Sequence, residues 1–156
     1  MPNQLDAIAF MRRVHMRLSA LAEVVATRSE TPDADHAFDE WAKCLGGHLR
    51  AMESIVLPAL TGLGWVDTGN EVRAAHVCAQ AMMAELLSTP PLHPQYEATR
   101  TLALSAMGEV IRVDQHLVIP QLQERMRHSA RLLLAAEMQL IETLIPEDPA
   151  EPEPLA

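Results

Sequence analysis

The chain has 156 residues, which fits one domain, and its apolar half includes only two Trp, one Tyr and two Phe, so an aliphatic core rich in its nine methionines is expected. A net charge of −9 without an offsetting basic stripe argues against nucleic acid or an anionic membrane as partner. With no apolar run near the roughly 18 residues that span a bilayer, no basic-then-apolar leader at the start and only Cys44 and Cys78, the expectation is a soluble, cytoplasmic protein without a disulfide framework.

In chain order, residues 4–28 place Leu5, Ile8, Met11, Leu18, Ala22 and Val25 at helical spacing, with His15 on the same stripe. The polar run 28–35 interrupts that pattern. A second helix is expected from about Asp35, an available N-cap, to Leu60, with Thr61-Gly62-Leu63-Gly64 ending it. Thr68 and Glu71 have capping-box spacing and open a third helix to about Ser88. The Pro-rich residues 89–94 form a loop. A fourth helix runs from about Gln95 to Met126 and has to adjust near Pro120, which has no backbone N–H to donate. Ser129 is expected to cap a fifth helix over residues 130–145, and the Pro- and Glu-rich residues 146–156 to be disordered.

Four long helices with short connections imply an all-α, antiparallel up-down four-helix bundle over residues 1–127. The additional helix at 128–145 carries Leu132, Leu133, Leu134, Met138, Leu140, Ile141, Leu144 and Ile145 on more than one side. It is expected to cover the bundle or to form a homodimer interface.

An internal repeat ties the halves together. Residues 48–58 recur 62 positions later as residues 110–120, and both copies end in an aliphatic-Pro-x-Leu tetrad, Leu57 to Leu60 and Ile119 to Leu122. The first copy has His48 where the second has Val110; the second has Asp114 where the first has Met52. His15 and His76 stand in a similar relation at an offset of 61. At about 100° per residue, the inward stripe of the first helix holds Ile8, Met11, His15, Leu18, Ser19 and Ala22. The second holds Trp41, Cys44, Leu45, His48, Met52 and Ile55. The third holds Val72, His76, Ala79, Gln80 and Met83, and the fourth Ala103, Ala106, Met107, Val110, Asp114 and Leu117.

Each helix thus carries one metal-competent group in the middle of an apolar face: His15, His48, His76 and Asp114. A lone histidine on such a face is more often a core residue than a ligand. Four groups at matched repeat positions are different, because burying them without partners costs several kcal/mol (order of magnitude) that mutual bonding or a shared metal would offset. His36, His93 and His128 fall at helix edges or loops and are expected in solvent. Glu109 and His116 lie off the stripe, with a flank ion pair as the simplest role. Cys44 and Met52 flank His48 by one turn each way and are expected to fill core, and Cys78 is assigned no chemistry.

Together, Val14-His15, His48 ten residues before Pro58, His76, and Asp114 six residues before Pro120 resemble the hemerythrin-like, HHE cation-binding family over about residues 5–125. The resemblance implies a non-haem di-iron bundle with five histidines and two bridging carboxylates, serving dioxygen or nitric oxide binding, sensing or metal storage. It implies that His15 and His48 hold one metal and that Asp114 is a bridging carboxylate. The second carboxylate is replaced by Met52, and the two histidines that would accompany His76 are replaced by Val72 and Val110. The implied set is therefore reduced: His15, His48 and Asp114 around one metal, iron first, with His76 as fourth ligand or nearby base. Zinc, manganese and a metal-free state stay open.

Two alternatives accompany this reading. In one, the bundle is an enzyme that binds a small organic substrate in an apolar pocket lined by Met52, Val72, Gln80, Met83 and Val110, using the four core groups for oxygenase or acid–base chemistry. In the other, it is a metal-free interaction protein.

Overall fold

The computed structural model describes residues 4–27, 32–67 and 70–143. Among them every regular element is helical. The first helix, α1 (Ala7–Ala26), begins where the Asp6 side chain accepts a hydrogen bond from the Ala9 N–H at 3.0 Å. An aspartate suits that place because its carboxylate satisfies one of the free N–H groups of the first turn. The second helix, α2 (Pro32–Ala51), starts three residues before the expected Asp35. Proline is tolerated in a first turn, where its missing N–H costs no helical bond.

From there the chain turns through a π-helical turn, Met52–Val56, into α3 (Leu57–Gly62) without leaving the rod. The same happens in the second copy of the repeat, where α5 (Tyr96–Val113) passes through the π-turn Asp114–Val118 into α6 (Ile119–Arg125). Pro58 and Pro120 explain both. A proline ring crowds the carbonyl four residues earlier and offers it no N–H. The wider turn relieves this, with Leu57 donating to the Met52 carbonyl and Ile119 to the Asp114 carbonyl. The expected adjustment near Pro120 is present, and Pro58 imposes the same one.

Between these rods lies α4 (Glu71–Ser88), entered through Asn70 at φ 50°. Its first turn is capped by Asp67, whose Oδ2 accepts from the Val72 N–H at 2.9 Å. The expected Thr68 cap lies outside the described residues. The last helix, α7 (His128–Thr143), begins ahead of the expected Ser129 cap. Arg131 Nε and His128 Nδ1 reach Asp6 Oδ2 at 3.1 and 3.4 Å, fastening the start of α7 to the start of α1.

Packing follows the apolar stripes. The closest neighbours are α1 with α2 and α4 with α5, α7 lies against α1 and α2, and α2 meets α4 at few points. Buried Met11, Leu18, Trp41, Leu45, Leu49, Met52, Leu60, Leu122 and Met138 form an aliphatic, Met-containing core. The buried Trp41 donates its indole N–H to Met107 Sδ at 3.1 Å. From α7, Leu134, Ala135 and Met138 are buried while Leu133 and Leu140 are exposed. Leu144, Ile145 and the tail 146–156 lie outside the described residues. Ser19, expected inward, is exposed, and Ala22, Cys44, Ile55, Gln80, Met83 and Leu117 are half-buried. A helical stripe has edges, and a single-angle projection does not separate the edge from the centre. Among the described residues no helix is long and apolar enough to cross a membrane.

Candidate metal centre

The four core groups predicted from the sequence meet. His15 comes from α1, His48 from α2, His76 from α4, and Asp114 opens the second π-turn; all are buried. Each is carried inward by the apolar residues one turn either side of it, such as Met11 and Leu18 around His15.

Asp114 is the hub. His48 Nε2 lies 2.7 Å from its Oδ2, and His76 Nε2 lies 2.9 Å from its Oδ1. Burial by itself raises the Asp114 carboxyl, but the imidazoles of His15, His48 and His76 outweigh it and hold the group well below the ordinary carboxylate range. An ionised carboxylate only accepts, so both hydrogen-bonded imidazoles carry their proton on Nε2 and donate. Burial lowers the His48 imidazole from its ordinary value, against the opposing pull of Asp114.

His15 is placed differently. Its Nε2 stands 3.4 Å from Asp114 Oδ2, and its ring meets that of His48 edge to face with centroids 5.1 Å apart. Both ring nitrogens of His15 are buried without a hydrogen-bond partner among the described residues. A buried polar atom left in that condition costs about 1–3 kcal/mol. His15, His48 and Asp114 each offer one ligand atom, all within 4.8 Å of one another, so a metal ion could be held by the three. Two imidazoles and a carboxylate suit ferrous iron, zinc or manganese. On the far side of the carboxylate, His76 bonds the other oxygen and fixes its orientation, as groups behind a ligand usually do. The Nδ1 atoms of His48 and His76 are buried without partners among the described residues, so this support stops at the carboxylate.

The implied second-metal side is filled rather than open. Met52, Val72 and Val110 are wholly buried. The open space lies outward of His76, in the seam between the rod of α2 and α3 and helix α4. A pocket of about 560 Å³ there has His76 and Gln80 among its walls. A neighbouring hollow of about 340 Å³ includes Gln80 and Met83, and another of about 180 Å³ includes Val72. Met52 and Val110, also expected at a pocket wall, line none of the three.

Other candidates stay outside the centre. Glu109 pairs with Arg112, which also reaches Glu71, and the guanidinium beside it holds the Glu109 carboxyl below its usual value. His36, His93, His116 and His128 are exposed, as is Glu53. Cys44 is half-buried, and burial pushes its thiol up to about 11, so it is a poor nucleophile and ligand. The sequence reading missed Glu142, a half-buried carboxyl on α7 that burial raises to about 7. An acid on the mostly apolar α7 stripe was the available signal.

Comparisons with family models, with curated proteins and with solved structures gave no match for this chain.

Proposed function

We propose that the chain is a hemerythrin-like antiparallel four-helix bundle with an added C-terminal helix, α7, and a reduced, mononuclear non-haem metal site. His15, His48 and Asp114 hold the metal, and His76 steadies the carboxylate. The observation that carries the reading is the pair of unpartnered nitrogens on the buried His15, beside the His48–Asp114 bond. A cation at Nε2 removes the desolvation cost of one of them and takes the place of the proton that His48 now shares with Asp114. Iron is the metal of choice, because an N,N,O set that leaves positions open is the pattern of non-haem iron sites. When bound, it supplies an open coordination position for a diatomic gas such as O2 or NO. The chain's own groups exclude water from that position, since all four polar side chains are buried under the aliphatic core. In this reading the protein works in the cytoplasm, and the exposed Leu133 and Leu140 of α7 form a homodimer face.

The test is metal analysis of protein expressed with added iron. The expected result is one iron per chain in the wild type and in Glu53→Ala, and none in His48→Ala. Two irons per chain overturn the mononuclear assignment. Loss of iron in Glu53→Ala as well as His48→Ala overturns the placement of His48 in the core and Glu53 at the surface.

The pocket beside His76 favours a second reading, in which the bundle is an enzyme for a small organic substrate. There His76, oriented by Asp114 through a 2.9 Å hydrogen bond, is the acid–base group. No iron uptake, together with turnover that disappears in His76→Gln, is the outcome that favours it.

A further inference from the structure

The pocket in the α2–α4 seam has a charge pattern of its own. One wall, from the first π-turn and α3, carries Glu53, Leu57 and Pro58; the other, from α4, carries Arg73, His76 and Val77. Glu53 and Arg73 are exposed and of opposite sign, yet neither pairs with the other or with any described residue. Elsewhere two arginines do find partners on a neighbouring helix: Arg112 reaches across to Glu71, and Arg17 to Glu40. Glu53 and Arg73 line the same pocket from opposite walls.

The backbone changes register along one wall of this space. The π-turn inserts an extra residue ahead of Pro58, so the face of α3 that looks towards α4 is presented one residue out of the register of α2. π-Turns of this kind recur at functional sites. A volume of about 560 Å³ falls within the roughly 300–1,000 Å³ typical of small-molecule sites.

We propose that this pocket binds a small zwitterion, an α-amino acid or short peptide with an aliphatic side chain. Arg73 takes the carboxylate, Glu53 takes the ammonium group, and Leu57, Pro58 and Val77 take the side chain. A ligand with a single charge leaves one wall unmatched, and a dianion meets Glu53 as a like charge. Guanidinium–carboxylate recognition favours the orientation with the carboxylate on α4. The His76 imidazole is part of the α4 wall, so the ligand lies one ring away from Asp114. The inference rests on the pocket of the second reading and is independent of whether metal occupies the centre.

The test is calorimetric titration of the full chain with L-leucine and with L-leucyl-L-leucine. The controls are 4-methylpentanoate, which lacks the amine of leucine, and 3-methylbutylamine, which lacks its carboxylate. The expected result is binding of at least one zwitterion, with each single-charge analogue at least about tenfold weaker. Arg73→Gln and Glu53→Gln should each weaken the zwitterion by about tenfold while leaving thermal stability and iron content as in the wild type. The proposal is overturned if neither zwitterion binds, if an analogue binds as well as its parent, or if both variants bind like the wild type. Iron content measured on the same samples reports separately on the metal centre.

Discussion

The two copies of the repeat share a backbone and differ in what they carry. After His48 the chain makes a π-turn at Met52–Val56 and meets Pro58; after Val110 it makes one at Asp114–Val118 and meets Pro120. At the first position of the turn one copy has a thioether and the other a carboxylate. Both side chains are wholly buried, yet Met52 packs against aliphatic neighbours while Asp114 gathers three imidazoles. The same geometry therefore serves packing in one half and polar chemistry in the other. The proline-driven backbone is the conserved mould of the repeat, and the side chain at its first position decides what that mould is used for.

The largest effect is expected from removing the carboxylate. Asp114→Ala leaves two buried imidazoles, His48 and His76, without their acceptor, so it should abolish iron binding and lower unfolding free energy by about 4 kcal/mol in urea titration. The matched change in the other copy, Met52→Ala, should cost about 3 kcal/mol through the cavity it leaves. Its iron content should be unchanged. If Met52→Ala also loses the metal, the two positions are not chemically distinct and the contrast fails.

Acid should act on the polar cluster that the two copies share, through His48 of the first and Asp114 of the second, and not through Met52. The His48 imidazole is lowered in the folded state, so the unfolded chain takes up its proton first, and stability declines as pH falls below about 6.5, the ordinary histidine value. Asp114 extends the loss further down: its carboxyl is also lowered, so its contribution is complete above the ordinary 3.8 and disappears as pH falls beyond that. Chemical unfolding across that range should show the decline in the wild type and in Met52→Leu alike.

The smallest effect should come from α7 and have the opposite sign. Glu142 is raised from 4.5 to about 7, so the folded state holds its proton more tightly and the associated stability is present below pH 4.5. It is lost as pH rises through about 7. Glu142→Gln should flatten that limb near neutrality and leave the acid limb in place. A profile unchanged by the substitution would mean that burial of Glu142 does not perturb its titration.

Much of this was legible in the sequence because helical periodicity is local. The 3.6-residue spacing of Ile8, Met11, His15 and Leu18 is enough to define a helix and its inward face, and the repeat is enough to pair His48 with Val110 and Met52 with Asp114. Pro120 announced its own distortion. Helix starts were less legible: two helices begin at Pro32 and His128, ahead of the expected caps Asp35 and Ser129, because several neighbouring residues can each open a first turn. The full burial of Met52 and Val110, expected at a pocket wall, has a different reason. A missing ligand in a sequence reads as a vacancy, whereas close packing fills the volume with whatever side chain is present.

By itself, then, the sequence determined that this protein is helical, which face of each helix is apolar, and that His15, His48, His76 and Asp114 each interrupt such a face. Those properties depend on neighbours within a turn or two along the chain. Only the tertiary structure decided that the carboxylate divides its oxygens, with His48 and His15 on one and His76 on the other. It alone left His15 without a hydrogen bond and set Glu53 and Arg73 facing across an open seam. Those outcomes depend on how far apart the helices settle, which the bulk of Met52, Val72 and Val110 and the π-turn ahead of Pro58 control through contacts distant in sequence.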